Sequence, residues 1–334
     1  MPQAATLKLA DAVLDGQRRA LGRAITLVES NKVDDRANAY ELLELLRQRT
    51  AGQPLAVRVG ITGVPGAGKS TFINALGIAL IEQGHKVSVL AVDPSSSKTG
   101  GSILGDRTRM GVLAQSDQAF IRPSPSGTHL GGVARATREA MLLVEAAGYD
   151  VVLVETVGVG QSEVAVASMV DTFLLLTLAR TGDQLQGIKK GILEMADVIA
   201  VNKADGDNEA TSQVAARELR TAMHLVGQVT PPQVLTLSAQ TGSGLMDVWQ
   251  AVLKHRARLG SCDGLNKRRA NQQRDWLWAL IDDTLLQAMR QSTSVVQRRA
   301  AVEQAVEDGQ ISAIDGAEQL LKLLAADVPT RWLV

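Results

Sequence analysis

GVPGAGKST (residues 63–71) decides the fold. An apolar run, VRVGIT, leads into it, and a helical pattern follows it. Gly63, Gly68, Lys69 and Ser70 satisfy the G-x-x-x-x-G-K-[ST] spacing of a phosphate-cradling loop between a strand and a helix. Glycines let backbone amides turn inward, and the helix N-terminus adds a dipole that favours anions. Lys69 brings a point charge to the outer phosphates, and Ser70 brings a hydroxyl suited to magnesium. Gly63, Val64, Pro65, Gly66, Ala67, Gly68, Lys69, Ser70 and Thr71 are thus all candidate nucleotide contacts. An ordinary glycine turn is the competing reading, and the agreement of motif with context disfavours it. The partitioning ATPases carry a second lysine after the first glycine, where this chain has Val64.

Outward from that loop, short apolar runs alternate with longer helical patterns. VRVGIT, KVSVLAVD, AFIRP, DVVLVET, DTFLLLTLA, DVIAVN and QVLTLS are candidate strands. Several lack two-residue polarity, as strands buried on both faces should. This pattern predicts an α/β fold with a doubly wound, mostly parallel sheet over residues 51–260. Residues 1–50 read as an N-terminal extension of two helices, and 261–334 as a C-terminal helical region. The chain has 334 residues, with 35 Lys+Arg against 35 Asp+Glu. That balance disfavours a general nucleic-acid binder. Cys262 is the only cysteine, which excludes an internal disulfide and suits a reducing cytoplasm. No apolar core of a signal peptide and no membrane-span-length apolar run stands out.

The base is read elsewhere. Asn202, Lys203 and Asp205 form N-K-x-D at the end of DVIAVN, where an open α/β sheet presents its crevice. An Asp carboxylate there accepts from guanine N1–H and the exocyclic amine, whereas adenine would leave it unpaired. Charged hydrogen bonds of roughly 1.5–3 kcal/mol each suffice for discrimination. The Lys203 stem would cover one face of the base, and Ser238, Ala239 and Gln240 are placed to offer a backbone N–H to the guanine oxygen. These motifs together imply GTP as ligand, with GDP as product.

Hydrolysis needs a metal and a switch. Asp93 ends one strand run and Glu155 another, so both carboxylates point toward one crevice. Glu155-Thr156-Val157-Gly158 stands where many GTPases carry D-x-x-G; Gly158 would offer an amide to the γ-phosphate, and the acid would hold magnesium directly or through water. Asp106 is the candidate carboxylate of the first loop, and for each of Asp93, Glu155 and Asp106 a helix cap or salt bridge is the alternative role. Lys98, Arg107 and Arg109 read as a solvated basic loop more readily than as transition-state cations. Gln161 lies three residues beyond Gly158 and is not assigned to the attacking water.

GVPGAGKST, LAVDPSSSKTGGSILGDRTRM, FIRPSPSGTHLGGVA, VETVGVGQSE, GDQLQGIKKG and NKAD occur in an order that resembles the MeaB/ArgK family of P-loop GTPases, over nearly the whole chain. The resemblance implies a GTP-dependent chaperone of adenosylcobalamin-dependent acyl-CoA mutases, chiefly methylmalonyl-CoA mutase, that gates cofactor loading and protects or releases inactivated enzyme. It implies Lys69, Asp93, Asp106 and Glu155 as the hydrolysis site, with Ser70, Asp93, Asp106 and Glu155 around Mg2+. It implies Gly182, Asp183, Gln184, Gln186, Lys189 and Lys190 as a switch that senses the mutase, although Ala179 stands where relatives often have proline. It also implies a homodimer through the C-terminal helices. Without the resemblance, Trp276, Leu277, Trp278, Leu280, Ile281 and Leu285 read as packing on their own domain. A small-molecule kinase, a nickel-type metallocentre chaperone and a catalytically dead scaffold are the rivals. The first would phosphorylate an acceptor; the second would need a Cys/His cluster, yet Cys262, His85, His129, His224 and His255 are scattered.

Overall fold

The structure is a computed structural model describing residues 3–30, 32–92, 110–123, 130–156, 162–179, 190–225, 230–260 and 263–327. Seven strands build one sheet: β1 (Val57–Gly63), β2 (Val87–Val92), β3 (Ala119–Arg122), β4 (Val151–Thr156), β5 (Thr172–Leu178), β6 (Val198–Asn202) and β7 (Gln233–Thr236). Their spatial order is β3-β2-β4-β1-β5-β6-β7, and every pairing is parallel. Each predicted strand run is present, and the α/β class follows the sequence reading. From β1 the chain moves to one side for β2 and β3, returns through β4, then crosses to the other side for β5 to β7. The strand order therefore reverses beside β1, and the crevice at the carboxyl ends of the strands opens there.

Among the described residues, the α-helices up to Gly260 are α1 (Ala4–Leu14), α2 (Arg18–Glu29), α3 (Val33–Arg49), α4 (Lys69–Glu82), α5 (Gly111–Gln115), α6 (Leu130–Ala146), α7 (Ser162–Ala167), α8 (Lys190–Met195), α9 (Glu209–Leu225) and α10 (Leu245–Gly260). Residues 1–50 hold three helices rather than the expected two. Gly16, at φ +71°, lets the chain turn sharply after α1 and start again at Arg18, a break that apolar spacing does not reveal.

Successive strand residues enter opposite cores, so both positions of the two-residue repeat are apolar. Val151 and Leu153 pack with Phe72, Ile73 and Leu76 of α4 and Trp249 of α10. Val152 and Val154 pack with Leu21, Ile25 and Val28 of α2 and Leu42 of α3. The N-terminal helices are thus part of the main core. Arg36 in α3 ties them to α6 by a paired contact with Glu139, at 2.9 and 2.8 Å, and its guanidinium centre lies 4.6 Å from the Tyr40 ring centroid.

The chain divides into two compact units, Met1–Gln272 and Gln273–Val334. The helix α11 (Gly264–Gln291) supplies residues to each, and α12 (Thr293–Glu307) and α13 (Ala313–Ala326) follow. In the smaller unit Ser292 caps α12 and a Ser312/Asp315 capping box starts α13. Asp327 closes that hairpin by accepting from Ser292 Oγ at 2.7 Å and from Ser294 N at 3.0 Å. Those bonds hold its carboxyl below the ordinary value. Among the described residues no helix is long and apolar enough to cross a membrane.

Candidate nucleotide-binding and hydrolysis site

The phosphate loop connects β1 to α4, and Gly68 is its most constrained residue. At φ +85° it occupies the left-handed region, and a Cβ there would lie 2.7 Å from Asn202 Nδ2. α4 begins without a side-chain cap, which leaves its first N–H groups facing the cleft. Lys69 Nζ donates to Gly63 O at 2.9 Å, bending back over the start of its own loop. Burial pushes the Lys69 ammonium below its ordinary value, while the carboxylates of Glu155 and Glu163 push the other way. An ammonium in that setting gains from an incoming anion, because the anion supplies the counter-charge that burial makes scarce.

Beside the lysine, Ser70 Oγ donates to Glu155 Oε1 at 2.9 Å. β1 and β4 are neighbours and Ile61 stands opposite Glu155, which brings the strand-end acid to the helix-start hydroxyl. Both are hard oxygen donors in one cleft. That set fits Mg2+, which takes one or two protein oxygens and fills its octahedron with water and phosphate. The cleft has a volume of about 590 Å³ and is lined by Pro65, Gly66, Lys69, Ser70, Glu155 and Lys203, among others.

A second hollow of about 280 Å³, lined by Leu178, Ala179, Asn202, Lys203 and Asn208, shares Lys203 with the first. Lys203 stands at φ +61°, a left-handed backbone that costs a non-glycine residue roughly 1–2 kcal/mol. Its amide donates to Asn202 Oδ1 at 2.8 Å, which holds that conformation. Asn202 is buried: Nδ2 donates to Ala67 O at 2.7 Å, and Oδ1 also accepts from Ala239 N at 3.0 Å. Every polar group of its side chain faces the protein, so it is a positioning residue joining the phosphate loop, β6 and the segment after β7. Ser238 Oγ donates to Asp205 Oδ2 and accepts from Thr241 N at 3.1 Å, which orients the Asp205 carboxylate. The Ala239 N–H is occupied by Asn202, and Gln240 beside it is exposed.

The family model described as methylmalonyl Co-A mutase-associated GTPase MeaB matches residues 21–294. The chain belongs to the MeaB family. A Mycobacterium tuberculosis protein named as a probable GTPase is 55% identical over 318 residues, covering 94% of each chain. The Escherichia coli GTPase ArgK is 44% identical, covering 92% of this chain and 93% of that one. The mouse methylmalonic aciduria type A homolog is also 44% identical, over 94% of this chain and 78% of its own. A solved LAO/AO transport system kinase superposes with a TM-score of 0.74 at 36% identity, over 97% of this chain and 99% of its own.

This MeaB-family protein is a GTPase. Its structure gathers Pro65, Gly66, Gly68, Lys69, Ser70, Thr71, Glu155 and Lys203 around one cleft, and joins Asn202, Asp205, Ser238 and Ala239 beside it. Asp93, Asp106, Gly158, Gly182, Asp183, Gln184, Gln186 and Lys189 lie outside the described residues, as do Lys98, Arg107, Arg109 and Gln161. Lys190 is the first residue of α8. Two features went unread in the sequence. Thr156 Oγ1 donates to Thr62 Oγ1 at 2.9 Å beside Glu155, and its place directly after that acid was the available signal. The other is Glu163, fully buried at the start of α7.

Proposed function

We propose that this GTPase serves an adenosylcobalamin-dependent acyl-CoA mutase, methylmalonyl-CoA mutase foremost, and couples GTP hydrolysis to cofactor loading and to protection or reactivation of the mutase. The observation that carries this reading is membership of a family described as methylmalonyl-CoA mutase-associated, across residues 21–294. The mouse relative's name points to the same metabolism. In this reading Lys69 and the loop amides hold the outer phosphates, and Ser70 and Glu155 hold Mg2+ with Asp93 and Asp106. The metal, when bound, neutralises charge on the β- and γ-oxygens. Asp205 reads guanine, steadied by Ser238, while Lys203 covers the base and joins the two hollows. An amide of the Ser238–Gln240 segment meets the guanine oxygen. The loop from Gly182 to Lys190 senses the mutase. The cell compartment is the cytoplasm.

A homodimer is part of the proposal. On α11, Leu277, Trp278, Leu285 and Leu286 are 54%, 61%, 47% and 53% exposed, an apolar supply that suits a subunit interface. Coupling requires the mutase to bind the GTP and GDP forms with different affinities. The test measures GTP hydrolysis and GTP affinity with and without purified adenosylcobalamin-dependent methylmalonyl-CoA mutase. A changed rate and a reciprocal change in affinity are expected. Hydrolysis indifferent to the mutase would overturn the chaperone role and leave the GTPase intact. Transfer of the γ-phosphate to an acceptor other than water would favour the kinase reading that the solved relative's description suggests.

A further inference from the structure

Glu163 is fully buried, and among the described residues nothing donates to its Oε1; Oε2 has only a 3.3 Å contact from the neighbouring Ser162 hydroxyl. A buried carboxylate oxygen without a donor is costly, and such groups persist where function needs them. Its position follows from the backbone. After β4 ends at Thr156 the chain descends through α7 and enters β5 at Thr172, which stands opposite Val59 of β1. On the way Val166 packs on β1: a Cβ on Gly60 would lie 2.7 Å from Val166 Cγ1. Glu163 is three residues earlier in the same helix, so it shares that face and sits about 4.5 Å nearer the carboxyl end of the sheet. At about 3.3 Å per strand residue, that is the level of Ile61 and Thr62. Glu155 stands opposite Ile61, and Thr62 carries the hydroxyl partner of Thr156. The phosphate loop starts one residue further on.

We infer that Glu163 is a catalytic residue of the hydrolysis, accepting a hydrogen bond from the attacking water at the γ-phosphate. An anion at that place cannot face the phosphate directly, and a water between them donates to one and presents its lone pair to the other. Lys69, the cation for the outer phosphates, feels the charge of Glu163 as well as that of Glu155, which fits the same placement. In the reaction the water oxygen bonds to the γ-phosphorus as the bond to the β–γ bridging oxygen breaks and GDP leaves. The water proton passes through Glu163 Oε1 to the phosphate product. Neither Ser70 nor Glu155, whose facing oxygens already bond each other, is then needed to orient the nucleophile.

The test is single-turnover hydrolysis at saturating GTP and Mg2+, with GTP affinity and melting temperature measured on the same full-length proteins. Glu163→Gln keeps the shape but loses the anion. Its rate should fall by about 100-fold or more. Its GTP affinity should stay within roughly threefold, since the lost contact is made in the transition state. Its melting temperature should hold or rise, because a buried unpaired charge is removed. Glu163→Asp, which keeps the charge, should recover part of the rate. A Gln variant that hydrolyses GTP as fast as the unaltered protein would overturn the proposal. So would one that fails to fold, or loses affinity and stability along with rate, because either result assigns Glu163 to the fold.

Discussion

Asn202 and Ala67, 135 positions apart, are joined by a 2.7 Å hydrogen bond from Asn202 Nδ2 to the Ala67 carbonyl. Through it the segment that ends β6 holds the middle of the phosphate loop, while the same side chain accepts from Lys203 N and Ala239 N. One buried amide therefore fixes the spacing between the phosphate loop and the segments that carry Lys203 and Ala239.

Asn202→Ala should damage both ends of the site. It leaves the Ala67 carbonyl and the Lys203 and Ala239 amides without their present partner, and each buried group so orphaned costs about 1–3 kcal/mol. GTP affinity should drop by more than about tenfold, since 1.4 kcal/mol is already a factor of ten. Isothermal titration and thermal melting would check this. A variant with unaltered melting and affinity would show that the loop holds its form without Asn202.

The guanine assignment is tested at Asp205. Asp205→Asn places an amide donor against the exocyclic amine of guanine, so GTP binding should fall and xanthosine triphosphate binding should rise. Xanthine carries an oxygen where guanine carries the amine. Ser238→Ala should behave differently: it loosens the Asp205 carboxylate by removing its donor, so both nucleotides should bind about tenfold more weakly at most, with base preference kept. Competition binding with the two nucleotides separates these outcomes. An Asp205 variant that keeps its full preference for GTP would remove this residue from base reading.

The fold was legible because parallel strands covered on both faces are apolar at every position. VVLVET could be recognised as a strand without knowing that Val151 and Val152 enter different cores. The phosphate loop and N-K-x-D were legible because each is a local pattern whose groups act within a few residues of one another. Asn202 was a base reader from its motif alone, since its partners Ala67 and Ala239 lie 135 and 37 positions away and no spacing rule links them. Glu163 closes the VETVGVGQSE motif, yet no role could be read for it there: its environment comes from how α7 descends over Gly60, which is a property of the assembled sheet. Asp171, the first residue of the DTFLLLTLA run, is the buried partner of Arg269, 98 positions away, which no local pattern links to it.

His255 should give the stability of the larger unit a mild acid dependence. Its Nδ1 lies 2.9 Å from Thr172 Oγ1 and its Nε2 lies 3.3 Å from Asp197 Oδ1. A neutral ring satisfies both, with Nε2–H donating to the carboxylate and Nδ1 accepting from the hydroxyl. Burial lowers its pKa below the ordinary 6.5, Asp197 and Asp171 oppose that shift, and Arg268 and Arg258 add to it. The unfolded chain therefore binds more protons between the lowered value and 6.5. Stability should fall as pH drops through that window and level off below it, with a slope of at most about 1.4 kcal/mol per pH unit. His255→Gln should flatten the slope in denaturant titrations run across this range. An unchanged slope would mean that another group controls it.

The last prediction separates the GTPase body from the exposed apolar helix. A chain ending at Gly260 would be a poor test, because α11 carries part of the body's own support. Arg269 donates to both carboxylate oxygens of the fully buried Asp171 at 2.7 Å and to Ala56 O, and Gln272 donates to Val170 O at 2.8 Å. Removing Arg269 strips a buried carboxylate of its bidentate partner, a loss of about 3–5 kcal/mol that could unfold the domain for reasons unrelated to assembly. A chain ending after Gln272 keeps these bonds and removes Leu277, Trp278, Leu285 and Leu286 together with α12 and α13. Stable interfaces bury at least about 1,200 Å² in total, and these exposed side chains are the supply assigned to that role. Residues 1–272 should therefore bind GTP as the full chain does and sediment as a monomer, while the full chain sediments as a dimer. A dimeric 1–272 fragment would place the interface on the GTPase body. A monomeric full chain would leave the apolar face of α11 for a partner other than a second copy.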